Sequence, residues 1–261
     1  MLESVLIVSG IGVACAVLLV VAAKLMAVKV DETAENIRAV LPGANCGACG
    51  FAGCDDYAKN LCENRDIKTN LCTPGGDATA RKIAEILGVE FEDVVEMKAN
   101  MKCAGNFDTS EYIMEYQGLP TCKACNTFYQ GRRSCTHGCL GYGDCANVCK
   151  FGALSIENGL AVIDRDLCTG CGACARVCPN HIIAMIKETS LVHVACSSHD
   201  KGAYTRKVCK AGCIGCMKCQ KTCEYGAITV TENLACIDPD KCTNCGACVE
   251  VCPTKVIHMV K

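Results

Sequence analysis

Twenty-eight of the 261 residues are cysteine, and most stand at spacings that chelate iron–sulfur clusters. The clearest are Cys213, Cys216, Cys219 and Cys223, a C-x2-C-x2-C-x3-C run. Cys242, Cys245, Cys248 and Cys252 follow at the same spacing, with Pro253 behind them. In such a run the first three thiolates hold three corners of one 4Fe–4S cubane and the fourth crosses to the neighbouring cluster. The expected ligand sets are therefore Cys213, Cys216, Cys219 and Cys252 for one cluster, and Cys242, Cys245, Cys248 and Cys223 for the other. Zinc is the competing chemistry. Zinc ribbons, however, use C-x2-C pairs separated by roughly 15–20 residues, and four cysteines in one run with a trailing proline do not fit that pattern.

The run has a twin. GACARVCP at 172–179 recurs as GACVEVCP at 246–253, a shift of 74 residues. The same shift carries CTGC at 168 onto CTNC at 242. It also carries Cys122, Cys135, Cys139, Cys145 and Cys149 onto Cys196, Cys209, Cys213, Cys219 and Cys223. Such a register marks tandem copies of one module. In the first copy, Cys168, Cys171, Cys174 and the crossing Cys149 form one ligand set. The other has Cys139, Cys145 and the crossing Cys178, but Tyr142 stands where the second copy has Cys216. Cys135, four residues before Cys139, is expected to supply the missing thiolate. Tyrosine ligation, a three-iron cluster and an empty site are the alternatives. Cys209 matches Cys135 in the second copy, where no ligand is missing.

A third pattern lies nearer the N-terminus: Cys46, Cys49, Cys54 and Cys72 within GANCGACGFAGC…CTPGG. Glycines on both sides let the backbone close around a cluster and aim amide N–H groups at its sulfurs. Twenty cysteines are thus expected to bind five 4Fe–4S clusters. Of the remaining eight, Cys15 reads as an apolar filler of the anchor, Cys62 as a core residue on a helix and Cys236 as a buried strand residue. Cys103, Cys122, Cys125, Cys196 and Cys209 are left over, and a sixth cluster assembled between the modules is the open alternative for them. None of the five histidines is assigned to metal.

The elements that must position these thiols read as α+β. Residues 5–23 form an uncharged stretch long enough to cross a ~30 Å hydrocarbon core, giving an expected transmembrane anchor over 1–29. Lys24, Lys29 and Arg38 follow it, which places the C-terminal side in the cytoplasm. That side carries 27 of the 28 cysteines, and the cytosol keeps thiols reduced. Residues 30–88 are expected to form a small, mostly helical 4Fe–4S domain, with Asp77 capping a helix that Gly88 ends. Residues 89–121 read as a connector, followed by two bacterial-type dicluster ferredoxin modules over 122–186 and 187–261. With no Trp, five Phe and seven Tyr, the apolar core is small and metal must staple it. The net charge of −2 gives no reason to expect nucleic acid.

Taken together, an N-terminal anchor, GANCGACGFAGC…CTPGG and tandem ferredoxin motifs resemble the B subunit of the Rnf complex, a membrane-bound, ion-translocating ferredoxin:NAD oxidoreductase. The cluster block at 46–72 alone is also similar to that of corrinoid iron–sulfur proteins, which carry a barrel domain absent from this sequence. The resemblance implies a single-pass subunit of the cell (inner) membrane. It would take electrons from soluble reduced ferredoxin and relay them to the membrane and peripheral subunits of the same complex, which lead to NAD. It would have no complete active site of its own. This agrees with the absence of a dinucleotide fingerprint, a P-loop or a catalytic triad order. Two rivals stand beside it: a polyferredoxin subunit of another membrane hydrogenase or dehydrogenase, and a zinc-stabilised interaction protein. Residues 201–221 hold Lys201, Arg206, Lys207, Lys210, Lys218 and Lys221 without one acidic residue. They read either as a solvated face beside negatively charged clusters or as a docking patch for an acidic ferredoxin.

Overall fold

The computed structural model describes the backbone of residues 2–25 and 31–260, with side chains described over 9–22 and 31–260. Helix α1 (Leu2–Leu25) occupies the expected anchor. Its described apolar side chains, Ile11, Val13, Val17, Leu18, Leu19, Val20 and Val21 among them, are all exposed. Among the described residues no helix is long and apolar enough to cross a membrane. The anchor expected over 1–29 extends at both ends beyond the described side chains.

Helices α2 (Glu32–Val40), α3 (Cys54–Glu63) and α4 (Gly76–Leu87) form the N-terminal domain. Asp31 caps α2 by accepting the Thr33 N–H at 2.9 Å. Gly88 ends α4 in the left-handed region at φ 65°, as the sequence predicts. Asp77, expected to cap α4, instead lies in its first turn and accepts the Val94 N–H at 2.8 Å, pinning the chain that leaves the domain. Ile37, Tyr57, Leu61 and Ile83 meet in the core at no more than 1 % exposure. Each contributes about 1.5–3 kcal/mol by leaving water.

Residues 89–121 are more than a connector. Strand β1 (Met97–Met101) pairs antiparallel with β4 (Ile183–Lys187), Met101 opposite Ile183. In the second copy β5 (Val192–Val194) pairs with β8 (Ile257–Met259), Val194 opposite Ile257. Ile183 and Ile257 are one repeat apart, so Met101 corresponds to Val194 and Cys103 to Cys196. Two hydrogen bonds fix the same register: Lys102 N–H to Ile182 O at 2.7 Å, and Ala195 N–H to Val256 O at 2.8 Å. Strand β1 thus pairs within the first module, and 19 more residues lie between Cys103 and Cys135 than between Cys196 and Cys209. That insertion holds Cys122 and Cys125 on a short helix, α5 (Cys122–Asn126).

Between these outer strands each module has an inner hairpin, β2 (Leu154–Glu157) with β3 (Leu160–Ile163), and β6 (Ile228–Thr231) with β7 (Leu234–Ile237). Both turn through two residues at positive φ, Asn158-Gly159 and Glu232-Asn233, the geometry that matches strand twist. Short helices follow the cysteine loops: α6 (Asp144–Asn147), α7 (Ala173–Val177), α8 (Gly202–Val208), α9 (Lys218–Thr222) and α10 (Ala247–Glu250). Backbone bonds join the modules, Glu111 N–H to Val208 O at 3.0 Å and Lys210 N–H to Thr109 O at 2.8 Å. The N-terminal domain is tied to the first module by Lys150 to Ala44 O and Arg176 to Cys46 O.

On the outer sheet of the second module, His193 stacks on His258 at 5.9 Å between ring centroids. Burial, reinforced by His258 and Arg165, pulls His193 down to about 4. The unfolded chain therefore binds the proton that the folded chain refuses, and stability is lost as pH falls from about 6.5 toward 4. His193→Phe is expected to flatten this acid limb in anaerobic urea titrations run at successive pH values. An unchanged slope between pH 4 and 6.5 would show that His193 does not set it.

Candidate metal centres

The insertion brings a cysteine beside the set interrupted by Tyr142. Cys139, Cys145 and Cys178 line one cavity together with Cys122 and Pro179. Asp144, beside Cys145, places Cys122 there: its Oδ1 accepts the Cys122 N–H at 3.0 Å and its Oδ2 the Lys123 N–H at 3.1 Å. Thr121 caps the same turn by accepting the Ala124 N–H at 3.1 Å. Tyr142 is not among the residues lining that cavity. Its ring meets Tyr116 edge-on at 5.9 Å and lies beneath Arg132, whose Cζ is 4.5 Å from the ring centroid. Cys135, expected to replace the missing ligand, lies in a different cavity. The 19-residue insertion loops back and brings Cys122, rather than Cys135, to the cavity lined by Cys139, Cys145 and Cys178.

Cys135 lines its cavity with Cys103, Cys196 and Cys209, together with Gly105, Gly138, Ser198, Thr205 and Gly212. Each module gives two thiols from corresponding places, Cys103 and Cys135 from one, Cys196 and Cys209 from the other. The donors that polarise the sulfurs also correspond: Cys139 N–H to Cys103 Sγ at 3.4 Å, and Cys213 N–H to Cys196 Sγ at 3.3 Å. Ser198 N–H adds a second donor to Cys196, and the Ser110 hydroxyl donates to Cys209 Sγ, both at 3.4 Å. The wall is tight. A Cβ on Gly105 would stand 2.5 Å from Ser110 Oγ and 3.4 Å from Cys209 Sγ. Such a cradle of thiols and sulfur-directed N–H groups fits an iron–sulfur cluster.

Two other expected sets also share cavities. Cys149, Cys168, Cys171 and Cys174 line one cavity, with the Ala99 N–H donating to Cys168 Sγ at 3.3 Å. Cys213, Cys216, Cys219 and Cys252 line another, against Pro253. Burial raises the Cys248 thiol, and Cys242, Cys245 and Cys223 each add to the shift. Burial likewise pushes Cys72 up to about 11, with Cys49, Cys54 and Cys46 contributing. Elsewhere burial takes Cys174 and Cys219 to about 11 and Cys135 and Cys145 to about 12. Thiols held this high stay protonated near neutrality, and it is bound metal that converts them to thiolates. Among the described residues no three His, Cys, Asp or Glu side chains are placed to share one metal ion. A wider cleft of about 210 Å³ touches Cys196, Cys236 and Cys242; these come from different sets and make no quartet.

The sets also abut one another. Cys46 lies close enough to Cys171 to add to the rise that burial imposes on that thiol. Cys103 and Cys139 touch through their hydrogen bond, as do Cys196 and Cys213.

Three family models match: "Putative Fe-S cluster" over 41–74, "4Fe-4S binding domain" over 161–184 and "4Fe-4S dicluster domain" over 212–256. The B subunit of the ion-translocating oxidoreductase complex of Methanosarcina acetivorans is 42% identical over 260 residues, 99% of this chain and 98% of the relative. The chain belongs to the B-subunit family of ion-translocating oxidoreductase (Rnf) complexes. Other relatives in this Rnf family are the B subunits of the Na(+)-translocating ferredoxin:NAD(+) oxidoreductase complex of Acetobacterium woodii and of its proton-translocating counterpart in Clostridium ljungdahlii. They are 40% and 36% identical over 98% and 96% of this chain, covering 78% and 89% of their own lengths. Iron–sulfur clusters are the cofactors that the matched domains bind. What sequence reasoning missed in this Rnf-family chain is the place of Cys122 beside Cys139, Cys145 and Cys178 and the strand-register match of Cys103 with Cys196. Asp144, immediately before Cys145, was the one available signal, as an acidic residue free to cap a second short helix.

Proposed function

We propose that this chain is the electron-carrying subunit of a membrane-bound, ion-translocating ferredoxin:NAD oxidoreductase, and that it holds six 4Fe–4S clusters in series. The observation that carries the reading is the quartet of Cys103, Cys135, Cys196 and Cys209, which fills the gap between the modules in an otherwise continuous line of cysteine sets. Each set, when loaded, supplies a one-electron centre. The chain does the rest. It spaces the sets from Cys46–Cys72 through the first module and the bridge to the second module, leaves only Cys216 and Cys245 of these cysteines exposed, and aims N–H groups at several of the sulfurs. Helix α1 anchors the domains at the inner membrane on its cytoplasmic side, against the partner subunits that lead to NAD.

Soluble ferredoxin is the electron donor, and the basic face around α8 is where it docks. Lys201, Arg206, Lys207, Lys210, Lys218 and Lys221 are all exposed. Anaerobic mixing with reduced ferredoxin should bleach the brown iron–sulfur absorption. Lys207→Glu with Lys210→Glu should slow that bleaching about tenfold at low salt and much less at high salt. Bleaching by dithionite but not by ferredoxin would refute the assigned donor. An unchanged rate in the charge-reversed variant would move the docking site elsewhere.

A further inference from the structure

Arg133 is 1 % exposed and is the largest fully buried side chain among the described residues. Its Nη1 donates to Gly105 O and its Nη2 to Gly159 O, each at 2.7 Å, while Nε has no partner. The Tyr112 ring lies 5.0 Å from Cζ. Among the described residues no carboxylate forms an ion pair with it. Carbonyl oxygens satisfy its donors but do not neutralise its charge, and a buried charge without a counter-charge is strongly unfavourable. The groups around it explain its presence. A Cβ on Gly105 would touch both Arg133 Nη1, at 3.2 Å, and Cys209 Sγ, at 3.4 Å. A Cβ on Gly138, the residue before Cys139, would lie 3.7 Å from Arg133 Cδ. Burial raises both Cys103 and Cys139, and Arg133 opposes that rise in each. The guanidinium thus stands between the bridge quartet and the Cys122, Cys139, Cys145 and Cys178 set. Lys207 takes the corresponding place in the second module, and it is exposed.

We propose that Arg133 is the internal counter-cation of these two sets and holds both at a higher reduction potential than the Cys213, Cys216, Cys219 and Cys252 set. This rests on the bridge quartet binding a cluster. Adding one electron to a thiolate-ligated cluster adds one negative charge, and a fixed cation nearby stabilises that state without moving a proton. Low dielectric strengthens the effect, since burial removes the water that would screen it. Net charge is a recognised lever on cluster potential. The second module, with Lys207 in water, lacks this lever.

The experiment is an EPR-monitored redox titration of the full chain as purified anaerobically, in the wild type, Arg133→Gln and Arg133→Lys. Iron content comes first: about 24 per chain shows all six sets loaded, whereas about 20 in the wild type means the bridge reading itself has failed. In fully loaded Arg133→Gln, two of the six midpoints should fall. The reduced fraction of those two at fixed potential should drop at least tenfold, which is 59 mV for a one-electron couple. Arg133→Lys should restore most of the shift, which a purely structural role would not predict. Should Arg133→Gln not load, the wild type still decides. The midpoints that vanish in Cys209→Ala and change in Cys122→Ala must lie above that of the Cys213 set. Unmoved midpoints in loaded Arg133→Gln, or the reverse order in the wild type, would overturn the proposal.

Discussion

Replacing Cys209 by alanine should lower the iron and acid-labile sulfide of the anaerobically purified chain from about 24 to about 20 each, at four per cluster. The spectra of the first module's two sets and of the Cys46–Cys72 set should stay unchanged, because Cys209 belongs to none of them. Its largest consequence is kinetic. Without the bridge, electrons would have to cross from one ferredoxin module to the other through protein alone, and tunnelling falls off exponentially with distance. Transfer from the second module to the first should drop by orders of magnitude, while each module remains reducible by dithionite. Cys103→Ala, Cys135→Ala and Cys196→Ala should behave alike, since all four thiols line one cavity. Cys236→Ala is the matched control: expected to be buried, Cys236 is on the outward face of β7 and exposed. A wild-type content of about 20 that Cys209→Ala does not change would show that the quartet is empty.

The second large effect separates Cys122 from Cys135. Cys122→Ala should remove one corner of the set with Cys139, Cys145 and Cys178, leaving a three-iron cluster visible by EPR in the oxidised state. Cys135→Ala should instead cost the bridge and leave that set intact, the opposite of what motif proximity suggests. Restoring the regular spacing supplies the decisive check. Tyr142→Cys placed in Cys122→Ala should recover the fourth iron, because Cys216, at the same place in the second module, lines its own cavity. Failure of that rescue, together with iron loss at this set in Cys135→Ala, would return the ligand role to Cys135.

Much of this arrangement was legible because cluster ligands come in tight local runs. The shared cavity of Cys213, Cys216, Cys219 and Cys252 follows the ferredoxin spacing, and Gly88 ends α4 in the left-handed region as its place in the sequence predicts. What stayed hidden depends on long-range pairing. MKANM at 97–101 shows no strong alternation, and its partner β4 lies far along the chain, Met101 opposite Ile183, so Cys103 looked isolated. The ungapped repeat also misled: the insertion happens to carry Cys122 at the offset that matches Cys196, whereas strand register pairs Cys196 with Cys103. Tyr142 obscured its set for a related reason. Cys122 is held beside Cys145 by a carboxylate clamp, Asp144 against the first N–H groups of α5, and such a clamp has no periodicity to read. The expected anchor rests on composition and on α1, whose described side chains are apolar and exposed.

The bridge quartet also imposes an order on biogenesis. Domains are synthesised N-terminal first and generally fold as units, so the ribosome delivers Cys103 and Cys135 well before Cys196 and Cys209. Until the second half emerges, the first would hold only two of the four thiols of the proposed bridge. Metal can complete it only when both ferredoxin halves are present and correctly apposed. The last cluster inserted would then act as a clasp, certifying that the whole chain has been made and joined before electrons are allowed along it.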